Sequence, residues 1–225
     1  MRLRDRIGID TRTQARLAWA MELVLVGILF VGLWDRDTGV IVNTAVALGV
    51  TQLVPILERD YGIPMDPALT LWITAAVFLH AVGVVGFPGS PQNLYQDLWW
   101  YDHVTHALSA SVVAAAGYAT ARAVDLHSVE VRLPPRFMFA FILLLTLAFG
   151  VFWEVIEFTI GEAAAVLGGE PVLTQYGLDD SMLDLVFDTV GAVVVAVWGT
   201  AYLTDLAGAI ARRLGDEAPD RRSSD

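Results

Sequence analysis

The strongest constraint on this chain is a series of six apolar stretches, near residues 17–34, 38–58, 68–87, 99–121, 136–159 and 181–204. Crossing a hydrocarbon core of ~30 Å takes about 20 helical residues, and each stretch has roughly that reach. The predicted class is therefore all-α: a polytopic membrane protein built as a bundle of six transmembrane helices. The breaks between the stretches carry turn chemistry, as in Asp35-Arg36-Asp37, Tyr61-Gly62-Ile63-Pro64, Pro88-Gly89-Ser90-Pro91, Pro134-Pro135 and Gly168-Gly169-Glu170-Pro171. Composition agrees. The chain is 56% hydrophobic and its mean hydropathy is +0.56, too apolar for an ordinary soluble domain.

Arginine placement predicts orientation. Every basic residue is arginine, and in a six-span arrangement every arginine except Arg36 falls on the side of the N-terminus. Positive residues collect on the cytoplasmic side. The expectation is a multi-pass protein of the cell membrane with both termini inside. Residues 1–16 form a cytoplasmic Arg-rich segment, 17–206 the transmembrane domain, and 207–225 a charged cytoplasmic tail. The stretch 17–34 follows an Arg-rich start, as a signal peptide would. It is long enough to span and lacks a small-residue cleavage site, so it is read as a retained helix. Tryptophans mark the interfaces: Trp34, Trp99, Trp100 and Trp153 outside, Trp19, Trp72 and Trp198 inside. The fourth stretch is rich in Ala, Ser and Gly, which let helices approach closely, and is predicted to be the central helix.

Ionisable side chains inside hydrocarbon-length helices are costly and usually functional. Here they share one depth. Asp102 and His106 lie one turn apart at the outer start of the fourth helix. Glu154 and Glu157 are three apart near the outer end of the fifth. Asp180, Asp184 and Asp188 run along one face of the sixth, and His80 lies near the outer end of the third. At 1.5 Å per residue, His80, His106, Glu154 and Asp184 fall within roughly 10 Å of the outer boundary. Such faces are expected to turn inward. Six carboxylates in one slab must share protons or be compensated by a bound cation. Carboxylates and imidazoles without thiolates suit Zn, Mn, Fe(II) or Mg, and with no cysteine in the chain a thiolate site is excluded. The predicted metal ligands are His106, Glu154, Glu157, Asp180, Asp184 and Asp188. The predicted catalytic residues are Asp102, as base or orienting group, and His80, in proton transfer.

Other polar residues have plainer readings. Asp179 is expected to cap the sixth helix, and Asp102 fits a capping role equally well. His103 is expected to point away from the Asp102–His106 face, toward the interface. Asn43, Thr44 and Gln52 are expected as interhelical hydrogen bonders, and Trp153 and Phe158 as packing and belt.

The pattern Tyr101-Asp102-x-x-x-His106, then Trp153-Glu154-x-Ile156-Glu157-Phe158, then Asp180-x-x-x-Asp184 before Gly191-Ala192, resembles the YjdF-like family of inner-membrane proteins. Phe78-Leu79-His80-Ala81 resembles it too. The likeness spans roughly residues 70–195. More loosely the arrangement is similar to VanZ-like membrane proteins. The resemblance implies a helical membrane fold and the same choice of residues, and it implies no particular reaction. It departs at Gly86-Phe87-Pro88-Gly89, where YjdF-like proteins have a His-Tyr segment.

Three functions are compatible with this reading. The first is a metal-dependent enzyme facing outward, activating water against a lipid head group or a lipid-linked phosphate or ester. The second is a cation or proton transporter or relay, with Glu22 as a stepping stone inward. The third is a structural or accessory membrane protein. The expected partner is membrane lipid. A net charge of -11 argues against nucleic acid.

Overall fold

The computed structural model describes residues 9–86, 92–169, 171–173 and 175–216. Its elements are α1 (Thr11–Asp35), α2 (Thr38–Tyr61), α3 (Pro67–Gly83), the single turn α4 (Leu94–Asp97), α5 (Tyr101–His127), α6 (Pro135–Leu167) and α7 (Leu178–Val194). A π-helical stretch, Val195–Gly199, leads from α7 into α8 (Thr200–Asp216). Among the described residues the one β feature is an isolated bridge between Gly86 and Asn93. Five segments are long and apolar enough to cross a membrane: α1, α2, α5, α6 and Leu178–Gly199. The all-α polytopic class holds.

Capping chemistry sets the helix starts. Asp10, Asp37 and Asp66 each accept a first-turn backbone N–H, the usual role of an N-cap carboxylate. The turn between α1 and α2 is tight. The N–H groups of Arg36 and Asp37 both bond to the Gly32 carbonyl, and Asp37 immediately caps α2. This forces Arg36 to φ 56°, at a cost of about 1–2 kcal/mol for a residue with a Cβ.

The stretch expected to span 68–87 is shorter as a helix. α3 has 17 residues, about 25 Å, and stops at Gly83. The Tyr95 ring of α4 occupies the space a Cβ at position 83 would need. The single turn α4 thus packs over the end of α3.

The helices pack in two groups. α1, α2 and α3 pack on one another, and α5 packs on α6, α7 and α8. Contacts between α3 and α5 join the groups, with the Trp72 indole donating to Ser111 Oγ at 3.0 Å and the Tyr101 hydroxyl donating to the Leu79 carbonyl at 2.7 Å. Leu25, Ala47 and Ala81 form the core of the first group, and Ala114, Ala115, Tyr118, Met138, Ile142, Ala192, Val195 and Leu203 that of the second. α5 is the shared central helix, as its small residues predict. At Gly191 the α7 backbone lies so close to the Ala107 carbonyl that a Cβ would collide with it.

α5 and α7 run in the same direction, so their first turns meet at one end of the bundle. The α6 carboxylates lie at that end too. At the other end the Arg213 guanidinium donates to the Asp60 carbonyl at 3.1 Å, and Asp125 accepts from Arg122 and from the Leu133 N–H. Arg122 and Arg213, toward the ends of α5 and α8, therefore lie at the end away from the acids. α8 continues the helix past 206, where the charged tail was expected to start. Ala207 and Ala209 are buried there.

Candidate functional site

His106 is the hub. Its Nε2 lies 3.6 Å from Asp102 Oδ1 and 3.8 Å from Asp184 Oδ2, and its Nδ1 lies 3.3 Å from Asp188 Oδ1. Local structure explains the grouping. Asp102 is one turn before His106 on α5, and Asp184 and Asp188 are one turn apart on the adjoining face of α7. Asp188 fits because position 150 on α6 is glycine, whose Cβ would strike the Asp188 carboxylate. Asp102, His106 and Asp184 each offer one donor atom, all within 4.8 Å of one another.

One tautomer gives an arrangement suited to a ligand. With Nδ1–H donating to Asp188, the Nε2 lone pair faces Asp102 and Asp184. An imidazole that ligates a metal characteristically donates its other N–H to a carboxylate in this way. Ligand atoms on one tetrahedral ion with bonds of about 2.1 Å stand about 3.4 Å apart, close to the spacings around Nε2. Asp184 is 1% exposed, and its Oδ1 accepts no hydrogen bond. Glu154 Oε1 is likewise buried without a partner. A buried acceptor without a donor is expensive, so these oxygens fit a cation.

The remaining acids surround this group. Glu154 Oε2 accepts from Gln175 at 3.3 Å, and Gln175 also donates to Ser181. Glu157 Oε1 accepts from the Trp153 indole at 2.9 Å. Asp180 is half-buried at the rim and accepts the Tyr176 N–H. The ligand-distance group thus contains His106 and Asp184 from the expected ligand set, together with Asp102. Glu154, Glu157, Asp180 and Asp188 lie around it.

His80 closes the site on the α3 side. Asn43 donates its amide N–H groups to the carbonyls of Gly39 and Val172, which turns Asn43 Oδ1 toward His80 Nε2 at 3.2 Å. An oxygen there requires Nε2 to carry the proton. Nδ1 of the neutral ring and the His80 backbone carbonyl, each 3.0 Å away, then share the single proton of the Tyr95 hydroxyl. Burial first, and the Asp102 charge second, hold the Tyr95 phenol well above its ordinary range, so it stays a donor.

Two cavities meet at His80 and His106. One, of about 910 Å³, is polar and lined by Asp35, Arg36, Asp37, Asn93, Tyr95, Asp102, Glu157 and Tyr176 among others. The other, of about 290 Å³, is mainly apolar and is lined by Val46, Val50, Val77, Val113, Thr146 and Phe149 besides Asn43, Trp153 and Asp188.

Several plain readings of the sequence need correction. His103 turns inward: it stacks on Phe187 at 4.5 Å, and its Nδ1 lies 3.9 Å from Asp184 Oδ1. The cause is α7, which covers that side of α5. Trp153 does pack, edge-on against His80 at 5.6 Å, as expected, and its indole N–H donates to Glu157 besides. Asp179 makes no side-chain cap bond, since the N-cap of α7 is Gly177. Trp100, not Asp102, is the N-cap of α5. Asn43, Tyr95, Gln175 and Tyr176 were not anticipated as site residues. Asn43 was within reach, because it lies about one turn into α2, at the end of the bundle that holds the ionisable groups. The others lie in connections, where helical spacing gives no signal.

Fold and site together define a class: an all-α, multi-pass membrane protein with a buried Asp–His–Asp group near one end of its bundle. Within that class, the chain belongs to the family described as Predicted membrane protein (DUF2238), whose model matches residues 16–205. That range contains all of the site residues above. The chain is also 32% identical over 126 residues to a Thermotoga maritima protein described as "Uncharacterized protein". The match covers 56% of this chain and 58% of that relative, so the chain spans less than two thirds of the relative's length. No solved structure matches.

Proposed function

We propose that the protein is an outward-facing, divalent-metal-dependent membrane enzyme acting on a lipid or lipid-linked phosphate or ester. The observation that carries the reading is the group Asp102–His106–Asp184, with donor atoms within 4.8 Å of one another and Asp188 on the other imidazole nitrogen. The donor set suits Zn, Mn, Fe(II) or Mg. A divalent ion there supplies Lewis acidity, lowering the pKa of a bound water and polarising a phosphoryl or carbonyl oxygen.

The chain's own residues have distinct roles. Asp102, His106 and Asp184 hold the ion, and Asp188 orients His106. Glu154 has a free buried oxygen and stands as the general base for water. Glu157 is held by Trp153 beside it. Asp180 guards the rim. His80 and Tyr95 form a path by which a proton leaves toward the polar cavity. Arginine placement supports an N-in, C-in orientation in the cell membrane, with the site near the outer surface. The resemblance to YjdF-like proteins rests on the same acids and histidines and is consistent with this reading.

Transport of a cation or proton is the weaker reading. Its ions need polar steps across the membrane, but the cavity that leads inward is lined by valines, Thr146 and Phe149. The deciding experiment is elemental analysis of protein purified without chelator, with melting measured with and without EDTA. The reading expects stoichiometric divalent metal and a lower melting temperature in EDTA. An ion-free protein that melts identically in both buffers ends it.

A further inference from the structure

The metal-centre reading leaves the apolar cavity unexplained. The polar cavity already reaches Asp102 and His106, so water activation there does not call for a second, apolar one. Yet the second cavity begins at His80 and His106 and extends inward, to Val113 on α5 and Thr146 on α6. Val113 lies seven residues beyond His106, roughly 10 Å deeper.

The walls show where it opens. α2 contributes Val46 and Val50, and α6 contributes Phe149 and Trp153. Among the described residues these two helices do not pack along one another. Val46 is 60% exposed and Phe149 52%, although both line the cavity. In a membrane that gap faces lipid. An apolar space of this kind weakens packing when empty, and a hydrocarbon chain restores the missing contacts.

We infer, on the footing of the metal-centre reading, that the substrate is an amphiphile with a single hydrocarbon chain. It enters sideways from the bilayer between α2 and α6 and lays its chain in the apolar cavity. Its polar end then reaches Asp102, His106 and Asp184. One chain rather than two follows from size, since about 290 Å³ is at the lower end for small-molecule pockets. Arg36 lines the polar cavity and gives an anionic head group a charge-assisted partner.

The test uses the full chain in lipid nanodiscs and dodecyl phosphate carrying a photoreactive diazirine at its terminal carbon. Adducts are expected on Val46–Val50, Val113 and Phe149. Unlabelled dodecyl phosphate should compete and inorganic phosphate should not. Val46→Trp at the gap should reduce labelling by about tenfold or more, the scale of effect from filling one pocket. Val31→Trp, on the exposed side of α1, should not. Should Val46→Trp not yield folded protein, Val50→Phe inside the cavity is read the same way. Adducts confined to exposed α1 side chains such as Phe30, undiminished labelling in the filled variant, or competition by inorganic phosphate alone overturns the inference. Labelling is repeated in EDTA beside elemental analysis. Cavity labelling in a protein that holds no metal supports the amphiphile and removes the metal centre. Stoichiometric metal without cavity labelling does the reverse.

Discussion

His106 Nδ1 and Asp188 Oδ1 lie 3.3 Å apart across the α5–α7 seam, and this pairing aims the opposite nitrogen at Asp102 and Asp184. The arrangement separates two roles among the aspartates. Asp188→Asn keeps the shape over Gly150 but weakens the acceptor that orients the ring, so metal affinity should fall about 10–100-fold. Asp184→Asn removes a ligand and should abolish stoichiometric binding. Equilibrium dialysis with elemental analysis measures both. Equal losses in the two variants would contradict the distinction.

Glu154→Gln should behave differently from Asp184→Asn. Glu154 is bonded to Gln175 outside the ligand-distance group, so the variant should retain metal while losing water activation. Its melting temperature should still fall in EDTA. For an ion present at 100 times its Kd, the stabilisation lost is about 2.7 kcal/mol. In Asp184→Asn the chelator should change nothing. A Glu154→Gln protein purified without metal would move Glu154 into the ligand set.

Close approach of α7 to α5 predicts that Gly191→Ala is destabilising, because the new Cβ would meet the Ala107 carbonyl. Overpacking of this kind costs about 1–3 kcal/mol. Gly161→Ala on α6 is the contrast: a Cβ there meets nothing within 4 Å, and replacing a helical glycine stabilises by roughly 0.5–1 kcal/mol. Thermal melts in one detergent should move in opposite directions. A neutral Gly191→Ala would mean that the helices sit further apart.

Orientation is open to direct chemistry because the chain has no cysteine. Gln96 and Glu130 are both exposed and lie in connections at opposite ends of the bundle. Gln96→Cys should react with an impermeant thiol reagent in intact cells, and Glu130→Cys only after lysis. The opposite pattern would place the acids on the cytoplasmic side.

The sequence by itself determined the class and the depth of the site. Hydrocarbon-length runs leave helices as the available structure. Helical rise then converts the positions of His80, His106, Glu154 and Asp184 into a common level, without knowledge of packing. Spacing also put Asp102 with His106, and Asp184 with Asp188, on shared faces. Those are properties of single helices, which is why they were legible. Which helices touch is another matter. That Asp188 serves Nδ1 while Asp102 and Asp184 face Nε2 depends on the rotation of α7 against α5, which Gly150 and Gly191 permit through close approach. The inward turn of His103, the Asn43 amide on His80, and the Tyr95 ring over Gly83 likewise arise between elements distant in sequence. The gap between α2 and α6 left no trace in either helix, because a valine facing a cavity and one facing lipid are the same residue in the sequence. Tertiary packing alone decided which of them line the cavity.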